Sequence, residues 1–483
     1  MELYENIGKE LNQKGINATI GTIYDLMAIW KQWYRGNVND FHYYTERING
    51  TDVQCERLTM NMPKKICEDI TKLIWTEKTK IELSNTKATE RLWEVLNSKE
   101  NSFTVNFPIF LEKVLALGSG ATIEYKNEQG KTIIDYIEGE VILPYKYTNS
   151  YINGMIAISR FIEETGKNKI YYTHLTYHEF IGDVYIKYNE LYSSKTETEI
   201  GKEIGFKSKF PNVKEKEIIR TTNPYFQIYK PNIANNFETN SPLGISILAN
   251  SIDRFKALDT KYDSFNNEFI LGKKRIIVDQ SAMKGHMETD KEGNTRFVQY
   301  FDKNDKIYQA LNIDSEKMTE PVKEIDMKLR YQEHIESINA ELNWLSDNVG
   351  LGSNYYKFNG ENTKTATEVI SENSKAFRTR EHYLTIVNSA VYDLVKAICE
   401  IEGIKTNKIT ITPDDSVIED KNAEQIRAQQ EVTIGLKSKK TYLMEIKGMS
   451  EQEAEKELKR IQEEKMSNTE AYGIIPSEEW CKC

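Results

Sequence analysis

Leu243–Leu271 reads LGISILANSIDRFKALDTKYDSFNNEFIL, and Val322–Val349 reads VKEIDMKLRYQEHIESINAELNWLSDNV. Apolar residues recur in both stretches at steps of three or four, which predicts two long amphipathic helices. The second stretch also fits a seven-residue repeat, with the polar Gln332 in its seam. At 1.5 Å per residue the first helix would be about 40 Å long. The segment between them, Lys273–Ile313, predicts strands around a hairpin-like turn at Asp290–Asn294.

A loop rich in Gly, Asn and Tyr follows the second predicted helix, from Gly350 to Asn362. Connections between packed helices usually have about two to eight residues, so this longer loop favours a functional role over a plain connector, which is the alternative. Its polar side chains can contact a phosphate backbone without reading base sequence. They are Asn354, Tyr355, Tyr356 and Lys357.

A third long helix is predicted to begin at Thr365–Glu368, where Thr-x-x-Glu fits a capping box. Its apolar stripe is interrupted by Asn373 and Arg380, which predicts a bend or a subunit contact at that point. After Pro413 the chain becomes highly charged. A small helical unit is predicted over residues 420–466, with a second capping box at Ser450–Glu453.

The first 240 residues predict an α+β body. Residues 1–100 show helical periodicity, strongest near 20–30, 61–75 and 88–96. From Phe103 to Lys230, short β-branched and aromatic segments separated by turn signals predict an antiparallel sheet.

Composition excludes several classes of protein. The 483 residues are enough for two to four domains, and the net charge of -10 argues against general nucleic-acid binding, which needs a basic excess. The charged N-terminus does not resemble a signal peptide, and no apolar run of about 18 residues predicts a membrane span. Five scattered cysteines indicate a reducing compartment. Cys481 and Cys483 are interpreted as a frayed end rather than a metal site.

Patterns typical of catalysis are missing from the sequence. His174 and His178 have the spacing of a zinc pair but lack the Glu of His-Glu-x-x-His, and their alternating context predicts a strand. Gly350-Leu-Gly352 lacks the third glycine of a dinucleotide loop, and no P-loop or nucleophile motif occurs. The numerous acidic residues are interpreted as solvated helix faces. We therefore predict no enzyme, no cofactor and no metal site.

Several segments resemble portal proteins of tailed bacteriophages, in the subgroup common among phages of Gram-positive hosts. The resemblance covers roughly residues 20–400 and depends on the order of these segments. They are Trp30–Gly36 (WKQWYRG), Arg57–Lys64 (RLTMNMPK), Asn235–Leu248 (NNFETNSPLGISIL) continuing to Asp259, Phe265–Ile276 (FNNEFILGKKRI), Thr365–Ser374 (TATEVISENS) and Arg378–His382 (RTREH).

The resemblance implies a mainly helical α+β portal fold that assembles as a ring. Its parts in chain order would be a wing (1–240), a first stem helix (241–272), a clip (273–320), a second stem helix (321–349), a tunnel loop (350–363), a long wing-bridging helix with a following strand (364–412) and a C-terminal helical crown (413–483).

The implied function is that of a channel at one capsid vertex. A ring of about twelve subunits would pass double-stranded DNA inward during packaging and outward during ejection, with weak, sequence-independent contacts. Its implied partners are the terminase large subunit, head-completion or adaptor proteins, and the major capsid and scaffolding proteins, without a membrane. The implied location is the virion, preceded by the host cytoplasm during assembly.

The resemblance also gives roles to particular residues. The tunnel loop would present Asn354, Tyr355, Tyr356, Lys357, Asn362 and Lys364 to DNA. The stem would line the channel with Asp253, Asp259, Asp263, Glu268 and Lys328. The clip would dock its partners through Lys273, Lys274 and Arg275.

Two other classes of function stay open on the sequence. A coiled-coil scaffold or adaptor without a DNA channel would use the heptads as dimerisation seams. A nucleic-acid enzyme would show Mg²⁺-dependent nuclease or ATPase activity, for which no motif is present.

Overall fold

The chain forms two compact units. The first comprises Met1–Thr363 and Ser371–Thr412, and the second Lys364–Ile370 and Pro413–Cys483. The computed structural model describes residues 2–18, 20–48, 50–166, 168–272, 275–279, 285–289, 293, 295–299, 308–311, 322–325, 328–358, 366–414 and 428–471.

Helices form much of the first unit. They are α1 (Glu2–Gln13), α2 (Ile23–Tyr34), α3 (Asn39–His42), α4 (Met62–Ile74), α5 (Thr86–Leu96), α6 (Phe103–Leu117), α7 (Ile252–Leu271), α8 (Tyr331–Asn348) and α9 (Ala366–Glu402). Local sequence explains several starts. Pro63 lies in the first turn of α4, where its missing N–H is tolerated. The Asn85 side chain accepts the Ala88 N–H and caps α5 at 2.9 Å.

Strands are interspersed with these helices along the chain. They are β1 (Tyr43–Ile48), β2 (Thr51–Glu56), β3 (Lys80–Leu83), β4 (Gly120–Lys126), β5 (Thr132–Glu138), β6 (Ile142–Thr148), β7 (Tyr151–Thr165), β8 (Asn168–Ile181), β9 (Val184–Ser194), β10 (Lys202–Ile204), β11 (Lys216–Arg220), β12 (Phe226–Tyr229), β13 (Arg275–Asp279), β14 (Gly285–Thr289), β15 (Thr295–Gln299), β16 (Tyr308–Leu311), β17 (Val322–Ile325) and β18 (Ile409–Thr412).

The largest sheet is antiparallel and lies in the predicted sheet region. Its order is β10-β9-β8-β7-β6, and β11 also pairs with β9. A second sheet has the order β12-β4-β5, and β18 pairs with β3. In the predicted clip, β14 and β15 pair antiparallel with Thr289 opposite Thr295. Of the predicted turn at Asp290–Asn294, all residues but Gly293 lie outside the described residues.

Two hydrophobic clusters hold the first unit together. One joins α4, α6 and α9 to the inner faces of α7 and α8, with Phe107, Leu342 and Val391 almost fully buried. The other packs α1 and α2 against the large sheet, with Trp30 and Tyr177 fully buried. Because each large apolar side chain contributes about 1.5–3 kcal/mol on burial, these clusters are the main source of stability.

The predicted stem helices are shorter than expected. The helix predicted from Leu243 begins at Ile252, because the segment before it packs tightly on other backbone. Gly244 donates its N–H to Ser119 Oγ at 3.0 Å, and a Cβ there would lie 2.5 Å from the Gly118 carbonyl oxygen. Tertiary contacts therefore override the helical periodicity.

The second predicted stem helix also starts late. Val322–Ile325, which begins the proposed heptad, is strand β17 and pairs with β13. Helix α8 begins only at Tyr331. Since β-branched Val and Ile fit a strand as well as a helix, the first part of the seven-residue pattern was misleading.

Residues 1–120 differ from the predicted pattern in two places. The hairpin of β1 and β2 lies within the region predicted to be helical. Helix α6 lies within the region predicted to be sheet. Phe103, Phe107 and Leu111 are buried on one side of it, and the opposite side carries the exposed apolar residues Val105 and Ile109. A helix with apolar residues on its exposed side as well lacks the one-sided pattern on which sequence prediction depends.

Arg380 interrupts the apolar stripe of α9, and its role differs from the predicted bend or subunit contact. The residue is only 2% exposed, and its Nε donates to the Leu73 carbonyl at 2.7 Å, at the C-terminal end of α4. A guanidinium is favourable there because free carbonyls and the helix dipole both attract a cation. Arg380 is therefore an anchor between α4 and α9 within one subunit.

The second unit contains the predicted helical tail. Its described helices include α10 (Lys439–Lys447) and α11 (Glu451–Ala471). The predicted capping box is confirmed, because Ser450 N–H donates to Glu453 Oε2 at 2.9 Å and Glu453 N–H donates to Ser450 Oγ at 3.4 Å. Thr365, at the other predicted capping box, lies outside the described residues.

Candidate functional site

The first nine residues of the predicted loop, Gly350–Phe358, form a strap that is bonded to α8. Backbone N–H groups of alternate residues donate to side chains on one face of this helix. The bonds are Asn354 N–H to Asn343 Oδ1 at 3.0 Å, Tyr356 N–H to Ser346 Oγ at 3.2 Å and Phe358 N–H to Asn339 Oδ1 at 2.8 Å.

Other helices hold the strap as well. Gly350 has a φ of +82°, which favours glycine, and its carbonyl accepts the Thr379 hydroxyl of α9 at 2.7 Å. Tyr356 is 9% exposed and donates its hydroxyl to Asp69 of α4 at 3.0 Å. The Phe358 ring meets the Phe265 ring of α7 edge-on at 5.8 Å. The strap is thus fixed to four helices.

The six predicted loop contacts fall into three groups. Tyr355 and Lys357 are exposed, and Asn354 is half-buried. Tyr356 points inward, so its burial against α4 corrects its assignment to a DNA-facing surface. Asn362 and Lys364 lie outside the described residues.

Asp259, one of the predicted channel-lining residues, lies inside the subunit. It is 2% exposed, and its Oδ1 accepts the Met60 N–H at 2.9 Å. Its Oδ2 is 3.2 Å from His42 Nε2, which carries the proton because Nδ1 accepts the Val38 N–H at 2.9 Å. Burial raises the pKa of Asp259. This burial corrects the assignment of Asp259 to the channel wall.

Asp263 lies one helical turn after Asp259 and is partly buried. Its Oδ1 accepts the Leu58 N–H at 3.2 Å, and its Oδ2 accepts Asn267 Nδ2 at 3.1 Å. The segments that flank the β1–β2 hairpin, residues 38–42 and 57–61, are called its legs. The two aspartates together bind both legs. They connect the hairpin to α7.

Glu268 is bound by Arg330, which immediately precedes α8. Arg330 Nε and Nη2 donate to the two carboxylate oxygens at 3.0 and 2.7 Å, and the Arg330 N–H donates to Oε1 at 3.2 Å. These bonds lower the pKa of Glu268 to about 2.

The Asp253 side chain is 95% exposed, and Lys328 is also exposed. Among the predicted stem residues, these two have the most accessible side chains.

We expect the Glu268–Arg330 pair to give an acid-sensitive link between α7 and α8. Its stabilisation is fully present above the ordinary carboxyl pKa of 4.5 and is lost as the pH falls to about 2. Glu268→Gln should therefore lower the Tm slightly at neutral pH, and the difference from wild type should vanish near pH 2. Thermal unfolding at a series of pH values measures this effect, with Asp253→Asn as the exposed control. Equal Tm values at neutral pH would contradict the link.

The predicted docking residues of the clip are described only in part. Lys273 and Lys274 lie outside the described residues. The Arg275 backbone belongs to β13, where it pairs with Ile325 of β17. The docking role of all three stays a prediction.

His174 and His178 lie in strand β8, which confirms the predicted strand. His174 Nε2 lies 2.9 Å from Asn189 Oδ1, and His178 Nδ1 lies 2.7 Å from the Tyr185 hydroxyl. Burial lowers the pKa of both imidazoles. Over the described ranges, no group of three His, Cys, Asp or Glu side chains is arranged to hold a metal ion, and no helix is long and apolar enough to cross a membrane.

Sequence reasoning missed the residues that position the strap. Asn339, Asn343 and Ser346 are spaced by four and three, so they share one side of α8. Polar residues at this spacing, next to the buried positions Ile338, Leu342 and Leu345, are the signal that could have indicated a bound backbone segment.

Comparison with known proteins identifies the family. The model of the family described as "Phage portal protein, SPP1 Gp6-like" matches residues 21–471. A search of the curated proteins gave no match.

Solved structures give low similarity. The chain is 11% identical to one in "Virion of native gene transfer agent (GTA) particle", with a TM-score of 0.41, covering 80% of this chain and 89% of that chain. For "Neck of native GTA particle computed with C12 symmetry" the values are 10%, 0.41, 80% and 89%. For "Neck of empty GTA particle computed with C6 symmetry" they are 10%, 0.42, 80% and 90%.

At these TM-scores the likeness carries no argument, and the assignment rests on the family match. That match extends from Gly21 through the body, both long helices, the strap and α9 to the end of α11. The chain therefore belongs to the family of phage portal proteins of the SPP1 Gp6-like type.

Proposed function

We propose that the protein forms a ring of about twelve subunits at one capsid vertex and is the channel for DNA. The family match over residues 21–471 carries this proposal. In such a ring, DNA would pass inward during packaging and outward during ejection. Assembly would take place in the host cytoplasm, and the ring would then remain in the virion.

The charge of the chain suits a channel that must not retain DNA. With a net charge of -10, most of the surface would repel phosphate and keep the duplex mobile. Lys357 is exposed and makes no ion pair within the part of the chain that is described, so its ammonium is available to a phosphate. Together with Tyr355, it supports weak contacts that do not depend on base sequence.

We propose which of the observed helices and strands form each part of the portal. The body up to about residue 240 would be the wing, α7 and α8 the stem, β13–β17 the clip, and α10 and α11 part of the crown. The clip would bind the terminase large subunit and later the head-completion proteins. Capsid and scaffolding proteins would contact the outside of the ring, and a Gram-positive host is proposed from the sequence resemblance.

The coiled-coil scaffold is less well supported than the portal. Four positions of the predicted heptad lie in α8. Ile338, Leu342 and Leu345 are buried within the subunit and belong to its core, and Ile335 is partly buried. They are therefore not available as a dimerisation seam.

Electron microscopy of the purified protein tests the proposed assembly. A closed ring with a central hole wide enough for a DNA duplex is the expected result. Rods or compact dimers would refute the portal ring and favour the scaffold. Mg²⁺-dependent nuclease or ATPase activity would instead favour the enzyme.

We expect Lys357→Glu to leave rings intact and to lower the yield of DNA-filled particles. In each subunit it replaces an attraction to phosphate with a repulsion of roughly 1 kcal/mol at about 4 Å in water. Repeated around the ring, this should reduce packaging by about tenfold or more. The control is Lys87→Glu, the same charge change at an exposed position on α5. Unchanged packaging in Lys357→Glu would remove that residue from the mechanism.

A further inference from the structure

We propose that Asn339, Asn343 and Ser346 are positioning residues, which set the path of the strap and direct Tyr355 and Lys357 outward. The bound N–H groups belong to residues 354, 356 and 358, and the two residues between them are exposed. This inference rests on the proposed function, in which the exposed side of the strap meets the DNA backbone.

The strap runs as turns and bends rather than as a strand, and the face of α8 supplies the acceptors for its inward N–H groups. Within the described chain, residues 350–358 belong to no sheet, so their inward N–H groups need another acceptor. The two Asn side chains supply carbonyl oxygens, and Ser346 accepts through Oγ while donating its own proton to the Leu342 carbonyl at 2.6 Å. Each of the three side chains therefore accepts a hydrogen bond from one particular backbone N–H of the strap.

Contacts from the neighbouring helices make this path rigid. Tyr356 is bonded to Asp69 of α4, and Phe358 packs edge-on against Phe265 of α7. Lys357 lies between these two anchors, so its Cα is held on both sides. A contact group attached to a fixed backbone loses less conformational freedom on binding than one on a flexible loop. Because its backbone is already fixed, a single lysine per subunit can contact a passing phosphate.

A matched pair of double variants tests the positioning role in the full-length protein. Asn339→Leu/Asn343→Leu keeps the side-chain size but removes both acceptors, and Asn339→Asp/Asn343→Asp keeps an acceptor oxygen at each position. The first readout is hydrogen exchange of a peptide covering residues 352–358 in the assembled protein. The second is the yield of DNA-filled particles in a packaging reaction.

With the Leu pair, we expect rings of normal size and exchange of the strap amides about tenfold faster, since a lost hydrogen bond changes the opening equilibrium by about that factor. Packaging should fall in the same variant, and the Asp pair should restore the slow exchange of the strap amides. The Tm separates this role from simple destabilisation, because a purely structural role would lower the Tm without a selective change in the strap.

Each other outcome identifies which part of the inference is wrong. Unchanged exchange in the Leu pair would overturn the positioning of the strap. Faster exchange with normal packaging would overturn its role toward DNA, while the channel itself would stand. Absence of rings in the wild-type protein would overturn the proposed function, and this inference with it.

Discussion

Glu124→Gln should stabilise the protein at alkaline pH and leave its stability at acidic pH nearly unchanged. Glu124 is 1% exposed, and its carboxyl group accepts the Thr122 hydroxyl at 2.6 Å and the Gln227 amide at 3.4 Å. Burial raises its pKa from 4.5 to about 8, because a charged carboxylate is disfavoured away from water. The neutral side chain is therefore the form that suits the fold.

The sign of the pH dependence follows from this raised pKa. The contribution of Glu124 is fully present below pH 4.5 and is lost as the pH rises to about 8. Within that window the loss is about 1.4 kcal/mol per pH unit. Glutamine stays neutral throughout, so the variant should keep what the wild type loses.

Chemical unfolding of both proteins at a series of pH values between these limits measures the effect. The pKa of the nearby, half-buried Asp393 is also raised by desolvation, so Asp393→Asn serves as the comparison for a carboxyl group that is less buried. If the wild type and Glu124→Gln showed parallel pH profiles, the carboxyl would be ionised in the fold and the prediction would fail.

The second large effect concerns Asp259. We expect Asp259→Leu to destabilise the protein by about 3 kcal/mol or more, because it leaves the His42 Nε2–H and the Met60 N–H buried without their acceptor. The β1–β2 hairpin should also become more accessible to protease, since both of its legs are held there. Chemical denaturation and limited proteolysis measure the two effects.

Two variants serve as controls for Asp259→Leu. Asp259→Asn keeps one acceptor oxygen and should have an intermediate effect. Asp263→Ala removes a partly buried acceptor on the same side of α7 and should cost about 1 kcal/mol or less. A loss at Asp259→Leu no greater than at Asp263→Ala would show that the buried pair contributes little.

The fold could be predicted where one side of an element is polar and the other apolar. α4 and α5 and strands β7 and β8 follow such patterns, and the structure confirms them. The prediction failed where tertiary packing, rather than the local sequence pattern, determines the secondary structure. α6 carries apolar residues on its exposed side as well as its buried side, and the segment before Ile252 follows backbone contacts at Gly118 rather than its own periodicity.

The candidate site could be predicted less well than the fold. The sequence identified the loop after α8 and its exposed Lys357. It could not distinguish Tyr355 from Tyr356, because which of two adjacent tyrosines is buried depends on Asp69, nearly 290 residues earlier in the chain. In the same way, Asp259 and Asp253 have the same charge and lie on the same helix. Only the packing of His42 and Met60 places Asp259 inside.

The hydrogen bonds of the strap have a consequence for how this protein can diverge. They join backbone N–H groups to the α8 face, and so they do not depend on which side chains occupy positions 355 and 357. Mutation can therefore alter charge and size at these two positions while the path of the backbone is inherited unchanged. Positions 339 and 343 are under the opposite constraint, because they must retain an acceptor. In a saturation library selected for infectious particles, substitutions should accumulate at 355 and be depleted at 339 and 343.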